Sequence, residues 1–279
     1  MFYVIKFKTI IIAALIIFIL IPVIAFSATA GIDSEGVDVP IIMYHGVLKN
    51  QGRLGTYILS PAELEGDLKY LKDKGYTAVF MKDLVDYVYK DKALPAKPVV
   101  LTFDDGFYNN YFYVLPLLEQ YDMKAVFSIV GILADKEEDA PSRNPNYSYL
   151  SWKEMGELIA SGRVEIQNHS YNMHTITGKR NGAKKRKSES AEEYERFLYN
   201  DIMKLQVLMK EKLDYEPITF TYPFGAVSQE SHKIIEKMGF LSTLSCSSGI
   251  NKITKDPKCL FMLRRYNRPH DKSIRSFIK

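Results

Sequence analysis

Short apolar runs alternate with amphipathic stretches along the chain from Pro40 onward. The apolar run at 98–103 is typical of a strand buried on both faces of a parallel sheet. The amphipathic stretch at 60–75 starts with the helix-initiating pair Ser60 and Pro61 and ends at a glycine. The pattern predicts strands at 41–45, 77–80, 98–103, 124–130, 163–169, 218–225, 240–246 and 260–267, and helices at 60–75, 82–90, 110–122, 151–162, 190–213 and 228–239.

About seven strands in alternation with helices predict an α/β fold with a parallel sheet. No glycine-rich phosphate-binding fingerprint follows the first strand, which argues against a dinucleotide-binding fold. A barrel of β/α units is therefore expected, with its active site at the C-terminal ends of the strands.

The first 30 residues predict export. Lysines precede an apolar run at 10–26, and Ala28 and Ala30 form an A-x-A pattern after it. We interpret this segment as a signal peptide cleaved after Ala30, or as an uncleaved anchor that could associate with the membrane. Either interpretation makes the rest of the chain extracytoplasmic. The predicted boundaries are 1–30 for the signal or anchor, 31–39 for a polar linker and 40–279 for one catalytic domain.

Composition and charge narrow the function only slightly. The 279 residues carry a formal net charge of +4, and nothing in this balance indicates nucleic-acid binding. The basic run at 178–187 is interpreted as a solvated loop, with binding of an anionic polymer as the alternative. Export would permit a disulfide between Cys246 and Cys259, although two unpaired, buried cysteines are favoured. The oligomeric state is left open.

Residues able to bind a metal or transfer a proton fall at the predicted strand ends. Asp104 and Asp105 close one strand. His169 and His174 follow a second strand, and His45 ends the first. Two adjacent carboxylates repel each other, and a cation would compensate them. One carboxylate and two imidazoles form a common ligand set for a zinc-like ion that keeps open positions for water.

The spacing of His169 and His174 is a weak signal by itself. Residues five positions apart lie on different faces of a helix and on opposite sides of a strand. Only a loop that folds back could aim both rings at one ion. From the residues alone, histidines that merely form hydrogen bonds therefore remain the alternative.

Three stretches in this order, TFDDG, HSYNMH and YPFG, resemble the polysaccharide deacetylase family, carbohydrate esterase family 4, which carries the NodB-homology domain. The resemblance extends from about Pro40 to the C-terminus. It implies a distorted (β/α) barrel with about seven parallel strands. It also implies removal of acetyl groups from N-acetylated sugars with one divalent metal ion, for which zinc is expected.

The resemblance further implies residue roles. Asp104 would be the general base, and the metal would be held by three side chains, Asp105, His169 and His174. The family often places its second histidine four residues after the first, where this chain has Met173. The five-residue spacing resembles the branch that deacetylates poly-N-acetylglucosamine. In YPFG, the N–H of Phe224 would bind the oxyanion, with Tyr222 beside it on the substrate side.

The chain departs from the family pattern at the groups that assist Asp104. Many members have an arginine where this chain has Thr221, so another residue must orient the base. Candidates in or directly after the last predicted strand are Arg264, Arg265 and Arg268, with surface arginines as the alternative. The family's acid histidine near the C-terminus is replaced by Tyr266, which leaves His45 and His270 as candidate acids. The general acid thus stays unassigned.

The leading hypothesis is an exported, metal-dependent N-deacetylase whose partner is a glycan polymer of the cell surface, either peptidoglycan or poly-N-acetylglucosamine. A catalytically silent glycan-binding protein of the same fold is the alternative, because Thr221 and the missing acid weaken the catalytic pattern. An aspartate for phosphoryl transfer is a third interpretation, which nothing else in the sequence supports.

Overall fold

The computed structural model describes residues 36–140, 142–177 and 180–278. The predicted signal or anchor lies outside these ranges. Among the described helices, none combines the length and hydrophobicity that a membrane span requires. The α-helices are α1 Pro61–Asp73, α2 Met81–Lys90, α3 Leu115–Tyr121, α4 Gly131–Glu137, α5 Trp152–Ala160, α6 Ala191–Leu213 and α7 Gln229–Lys237.

The strands are short, and most of them are buried. In chain order they are β1 Val37–Val39, β2 Ile41–Tyr44, β3 Gly46–Val47, β4 Ile58–Leu59, β5 Thr77–Ala78, β6 Pro98–Asp105, β7 Ala125–Ile129, β8 Val164–Asn168, β9 Ile176–Thr177, β10 Arg180–Asn181, β11 Thr219–Thr221, β12 Ser242–Leu244, β13 Asn251–Ile253 and β14 Tyr266–Asn267.

One parallel sheet organises the chain. Its strands are hydrogen-bonded in the order β12-β11-β8-β7-β6-β2-β14, and β5 adds a further pairing on β6. Helices connect the consecutive strands, as parallel pairing requires. Seven strands therefore form one curled parallel sheet, which confirms the predicted (β/α) barrel class.

The segment before β14 joins the two ends of this sheet. Leu263 exchanges backbone hydrogen bonds with the β12 side: its N–H donates to Thr243 O and its carbonyl accepts from Ser245 N–H. Tyr266 in β14 then pairs with Ile42 of β2. Residues 263–267 thus bridge the opening of the barrel, and their side chains can reach its interior.

Helix starts and core packing follow from the sequence. Ser60, Ser151 and Ser190 each cap a helix and accept a hydrogen bond from the backbone N–H three residues later, and each is paired with a glutamate in a capping box. The apolar helix faces pack on the sheet in two buried clusters. One surrounds Phe103 and Phe127, and the other surrounds Phe220, Tyr222 and Tyr194.

Several element predictions were wrong in detail. The last strand was predicted at 260–267, but Pro257–Leu260 form a 3₁₀ turn and Met262 has φ +59°, which interrupts an extended chain. Only Tyr266–Asn267 remain strand. Within the predicted linker, Val37–Val39 form a strand.

The predicted helix at 110–122 and one unpredicted helix also differ from expectation. Asn110–Val114 form a π-helical turn, and α3 follows it. Pro116 has no N–H to bond the carbonyl of Phe112, which removes one α-helical hydrogen bond at this junction. Gly131–Glu137 form α4, which the periodicity did not predict because only two of its residues are buried.

Candidate active site

The strand β6 ends on the two carboxylates through an unusual backbone. Asp105 and Gly106 both have left-handed conformations, with φ +74° and +72°. A side chain at Gly106 would meet Ile129, because a Cβ there would lie 3.1 Å from Ile129 Cγ2. Strain of this kind at a non-glycine residue is concentrated at functional sites. The turn ends the strand abruptly and lets Asp104 and Asp105 have different partners.

Asp104 is buried and paired with an arginine. Arg265 Nη1 and Nη2 each lie 2.8 Å from an oxygen of its carboxylate, and the guanidinium is completely buried. The same guanidinium donates from Nε to Ser245 O at 2.8 Å. Burial alone would raise the pKa of Asp104, but the Arg265 charge and hydrogen bonds, together with the charges of His169 and His45, outweigh burial and lower this pKa. Asp104 is therefore held in its charged form.

Of the three candidate arginines, only Arg265 contacts Asp104 in the described part of the chain. Arg264 is exposed. Arg268 forms a separate buried pair with Asp67, with Nη2–Oδ1 at 3.0 Å and Nε–Oδ2 at 2.8 Å. Thr221, at the position where many relatives have arginine, shares a 2.7 Å hydrogen bond with Ser128 instead.

Asp105, His169 and His174 come together as a candidate metal site. One ligand atom of each lies within 4.8 Å of the other two. Asp105 Oδ1 is 3.0 Å from His174 Nε2 and 3.6 Å from His169 Nε2. This buried oxygen has no properly formed hydrogen bond among the described residues. An unsatisfied carboxylate oxygen facing two ring nitrogens fits a cation of the zinc type, which takes N and O ligands.

The His169 ring is oriented by the neighbouring strand. Its Nδ1 lies 2.7 Å from the carbonyl oxygen of Thr221, so Nδ1 carries the proton and donates it. In the neutral ring, the lone pair of Nε2 is then on the side of Asp105. Metal-binding histidines commonly have such a backbone acceptor, which sets the tautomer.

The shifted pKa values of Asp105 and His174 both indicate that the cluster favours positive charge. Burial would raise the pKa of Asp105, but the histidines outweigh it and hold that pKa well below its usual range. Burial would lower the pKa of His174, and the Asp105 carboxylate outweighs burial and raises it. Without an ion the site thus attracts protons, and a divalent cation would compete with them.

The turn after β11 places Phe224 beside the cluster. Phe224 has φ +57°, and its ring centroid is 4.2 Å from that of His174. A side chain at Gly225, which has φ +64°, would lie 2.7 Å from Cys246 Cβ. Glycine therefore allows the turn to pack tightly on the end of β12. Phe224 is 40% exposed, so its ring lies at the solvent-facing rim of the candidate metal site.

Tyr222 is the residue predicted to lie beside Phe224 on the substrate side. Its side chain is completely buried and packs at right angles on Phe220, with ring centroids 5.1 Å apart. It belongs to the cluster beneath α6 and α7, which includes Ile202 and Ile235. In this structure the ring packs beneath the turn and is not exposed at the site.

The two candidate acids have different surroundings. His45 lies close enough to Asp104 and Asp105 to interact with their charges, and its Nδ1 is buried without a partner in the described ranges. Burial lowers the pKa of His45, and the two carboxylates partly oppose this shift. His270 instead lies at the surface, where Nδ1 is 2.8 Å from Glu63 Oε2.

Two further aromatic residues near the site, Tyr57 and Tyr149, were not expected from the sequence. Tyr57 is 58% exposed and packs edge-on against His45, with centroids 4.8 Å apart. Tyr149 stacks on Phe107 at 5.1 Å, and burial together with the Asp105 charge raises its pKa. Both tyrosines lie in irregular loops, where no periodicity indicates which residues reach a site.

Other sequence features lie apart from the cluster. Cys246 and Cys259 are both free thiols, as the favoured interpretation predicted, but they are not buried as expected: Cys246 is exposed and Cys259 is only partly buried. In the described part of the basic run, Arg180 and Arg186 pair with Glu189. This local pairing leaves less free charge for an anionic polymer than the sequence suggested.

The C-terminal rim of this parallel β/α barrel carries an Asp-His-His cluster and, beside it, a carboxylate paired with arginine. This arrangement is typical of a metal-dependent hydrolase, which is the candidate class of the protein. A family model described as polysaccharide deacetylase matches residues 91–242, more than half of the chain. The chain therefore belongs to the polysaccharide deacetylase family.

Individual relatives agree with this family. Poly-beta-1,6-N-acetyl-D-glucosamine N-deacetylase of Escherichia coli K12 is 26% identical over 228 residues, which cover 75% of this chain and 34% of that protein. The protein of the same name in Staphylococcus aureus MRSA252 is 25% identical over 185 residues, or 66% and 59% of the two chains. This chain thus spans about a third and three fifths of these relatives' lengths.

A solved structure supports the fold. The de-N-acetylase of Aggregatibacter actinomycetemcomitans superimposes with a TM-score of 0.74 over 87% of this chain and all of that one, at 23% identity. At this identity the likeness concerns the fold alone.

Proposed function

We propose that this protein is a metal-dependent hydrolase that removes N-acetyl groups from an N-acetylglucosamine polymer outside the cytoplasm. The observation that carries the proposal is the pairing of two differently held carboxylates: Asp104 is braced by Arg265, and Asp105 faces His169 and His174. One carboxylate is available as a base, and the other belongs to a cation site.

The three side chains that would hold the ion are Asp105, His169 and His174, and their mixed N and O donors fit zinc. A bound divalent ion would supply Lewis-acid chemistry, polarising the acetamide carbonyl and acidifying a water molecule. The backbone acceptor of His169 and the left-handed turn at Asp105 would keep the ligands in place.

Asp104 is suited to remove a proton from the attacking water. Arg265 binds both of its oxygens from one side, which fixes the carboxylate plane and leaves the remaining lone pairs free. The lowered pKa of Asp104 keeps it ionised at neutral pH, although it also makes the carboxylate a weak base. A weak base is sufficient when the water is itself acidified.

The tetrahedral oxyanion and the leaving amine need two further groups. The N–H of Phe224 would donate to the oxyanion, in agreement with the position of its turn beside His174. His45 would protonate the leaving nitrogen, because it interacts with both aspartates while His270 is occupied by Glu63.

The proposed substrate is a β-1,6-linked N-acetylglucosamine polymer, with peptidoglycan as the alternative. Two relatives are named for the β-1,6 polymer. The exposed Tyr57 and Phe224 rings beside the site could stack on sugar rings. The signal or anchor predicted at 1–30 is consistent with such an extracytoplasmic substrate. A catalytically silent glycan-binding protein is disfavoured, because Arg265 and His45 supply the assistance that the sequence pattern lacked.

Acetate release from the zinc-loaded full chain tests the proposal, with β-1,6 N-acetylglucosamine oligomers and N-acetylated peptidoglycan as substrates. We expect Asp104→Asn and His45→Gln each to lower kcat by roughly 10²–10⁴-fold, because a general base or acid contributes that much. His45→Gln should also change the pH profile.

Asp73→Asn and His270→Gln are the matched controls, since Asp73 is exposed on α1 and His270 lies in a surface pair. Both should retain wild-type rates. Acetate release that is unchanged by Asp104→Asn would refute the proposed base. Zinc binding without acetate release on either glycan would instead support the silent binder.

A further inference from the structure

The six residues from His169 to His174 form a sharp turn that brings both rings to one side, and we call residues 170–173 the ligand loop. Ser170 has φ +77°, which is rare for a residue with a side chain. Its N–H donates to Asn168 Oδ1 at 2.8 Å, and its Oγ accepts from Met173 N–H at 3.1 Å. Local hydrogen bonds therefore fix the start of the loop to Asn168 and join its first residue to its last.

The middle of the ligand loop is held from outside by a single carboxylate. The N–H of Tyr171 donates to Asp201 Oδ1 at 2.8 Å, and the N–H of Asn172 donates to Asp201 Oδ2 at 3.0 Å. Asp201 belongs to α6, far from the loop in the chain. Hydrogen bonds to a charged acceptor are about twice as strong as those between neutral groups. Both oxygens of the Asp201 carboxylate thus accept hydrogen bonds from two consecutive backbone amides.

The opposite side of the loop is held by α4. The carbonyls of Ser170 and Tyr171 accept from Gly131 N–H at 3.1 Å and Ile132 N–H at 2.9 Å. A side chain at Gly131 would come within 2.8 Å of the Tyr171 ring, so the loop lies directly on this helix. The ligand loop is therefore clamped between α4, which binds its carbonyls, and Asp201, which binds its amides.

The Tyr171 side chain adds a second anchor to each helix. Its hydroxyl donates to Asp135 Oδ2 on α4 at 2.9 Å. Lys204, one turn beyond Asp201 on α6, places its ammonium 3.7 Å from the ring centroid. These contacts fix the position of the loop between the helices, and the two amide bonds fix its backbone conformation.

We propose that Asp201 is a positioning residue for the metal site: its carboxylate sets the ligand-loop conformation in which His169 and His174 converge on Asp105. The inference rests on the proposed function, because it assigns a role toward the ion that these three residues would hold. It accounts for the five-residue spacing, which neither a helix nor a strand could use, by a side chain that stabilises a loop in which both rings face Asp105.

The test measures zinc affinity directly, by competition with a chromophoric chelator, on the full chain as wild type, Asp201→Asn and Glu195→Gln. An asparagine at 201 keeps the shape but turns one acceptor into a donor that faces an amide N–H. We expect Asp201→Asn to weaken zinc binding by about 10–100-fold, the usual effect of losing an outer partner of a metal site. Glu195→Gln makes the same charge change at an exposed position of α6 and should bind zinc like wild type.

A second readout separates positioning from general damage. Thermal unfolding of the metal-free proteins should show that Asp201→Asn is still folded, with a lower midpoint than Glu195→Gln because a hydrogen bond to the loop is lost, and Co²⁺ absorption of Asp201→Asn should report altered coordination. If Asp201→Asn does not fold, amide hydrogen exchange of the metal-free wild type decides: Tyr171 and Asn172 N–H should be protected, and exchange at the rate of a free peptide would overturn the inference.

The outcomes distinguish this inference from the proposed function. A folded Asp201→Asn protein with wild-type zinc affinity overturns the role of Asp201 while leaving the deacetylase intact. A wild type that binds no zinc and releases no acetate overturns both.

Discussion

Two buried carboxylates of the same barrel, on strands β6 and β8 with β7 between them, are held in different ways. Asp104, near the C-terminal end of β6, is paired with the Arg265 guanidinium, which lowers its pKa. Glu165, near the start of β8, accepts hydrogen bonds from the N–H of Lys82 at 3.1 Å and from the Gln167 amide. Burial raises the pKa of Glu165 to about 7.

The difference comes from the partners, since both side chains are buried. No ion pair joins Glu165 to a cation in the part of the chain that the structure describes, and the Lys82 ammonium pairs with Asp86 instead. The neutral donors around Glu165 satisfy its oxygens with hydrogen bonds, but they do not offset the cost of burying a charged carboxylate away from water. The barrel thus keeps a permanent charge where chemistry is proposed and keeps a titrating acid at its other end.

Removal of the Arg265 charge should have the largest effect on this contrast. In Arg265→Met, Asp104 becomes an uncompensated buried charge, and we expect the free energy of unfolding at pH 7 to fall by about 3–5 kcal/mol. Because the pKa of Asp104 is lowered in the wild type, the pair stabilises the fold above the ordinary aspartate pKa of about 3.9 and loses this contribution below it. Urea unfolding at several pH values measures the change.

Arg264→Met is the control for that experiment, since Arg264 is the neighbouring arginine and is exposed. Its stability should stay close to that of the wild type. A loss in Arg265→Met that is equally large at pH 3 and pH 7 would contradict the electrostatic explanation.

A smaller, pH-dependent effect is expected at Glu165. Because its pKa is raised, the folded state holds its proton more tightly, and stability is lost as the pH rises from the ordinary value toward and through about 7. Glu165→Gln removes this dependence. Its stability relative to wild type should increase by up to roughly 3 kcal/mol between pH 4 and pH 8.

Thermal or urea unfolding of the wild type and of Glu165→Gln across this pH range provides the measurement. Glu236→Gln, a neutralisation at an exposed position of α7, should give a difference that does not vary with pH in this way. A constant difference for Glu165→Gln would mean that Glu165 is already ionised in the fold.

The smallest effect is expected for a neutral buried pair. Thr221→Val removes the 2.7 Å hydrogen bond to Ser128 and leaves one hydroxyl without a partner, at a cost on the order of 1 kcal/mol. The His169 contact uses the Thr221 carbonyl, so zinc affinity should not change. Addition of Ser128→Ala should recover much of the stability, and failure to do so would argue that the hydrogen bond is not the cause.

The α/β barrel class was predictable because its signals are local. Capping serines, apolar runs and strand–helix alternation each lie within one short segment, and the same segments form the sheet and its helices. The irregular elements were harder to predict from the sequence. Met262 at positive φ and the π-helical turn before α3 depend on how the chain meets its neighbours.

The sequence by itself determined which side chains stand at the ends of the strands, including Asp104, Asp105 and His169, because strand ends follow from local hydrophobic patterning. Only the tertiary structure decided which distant groups meet them. Arg265 reaches Asp104 because residues 263–267 close the barrel, and Asp201 holds the ligand loop because α6 packs beside it. Such partners come from anywhere in the chain, so no local pattern records them, and their identity depends on packing in three dimensions.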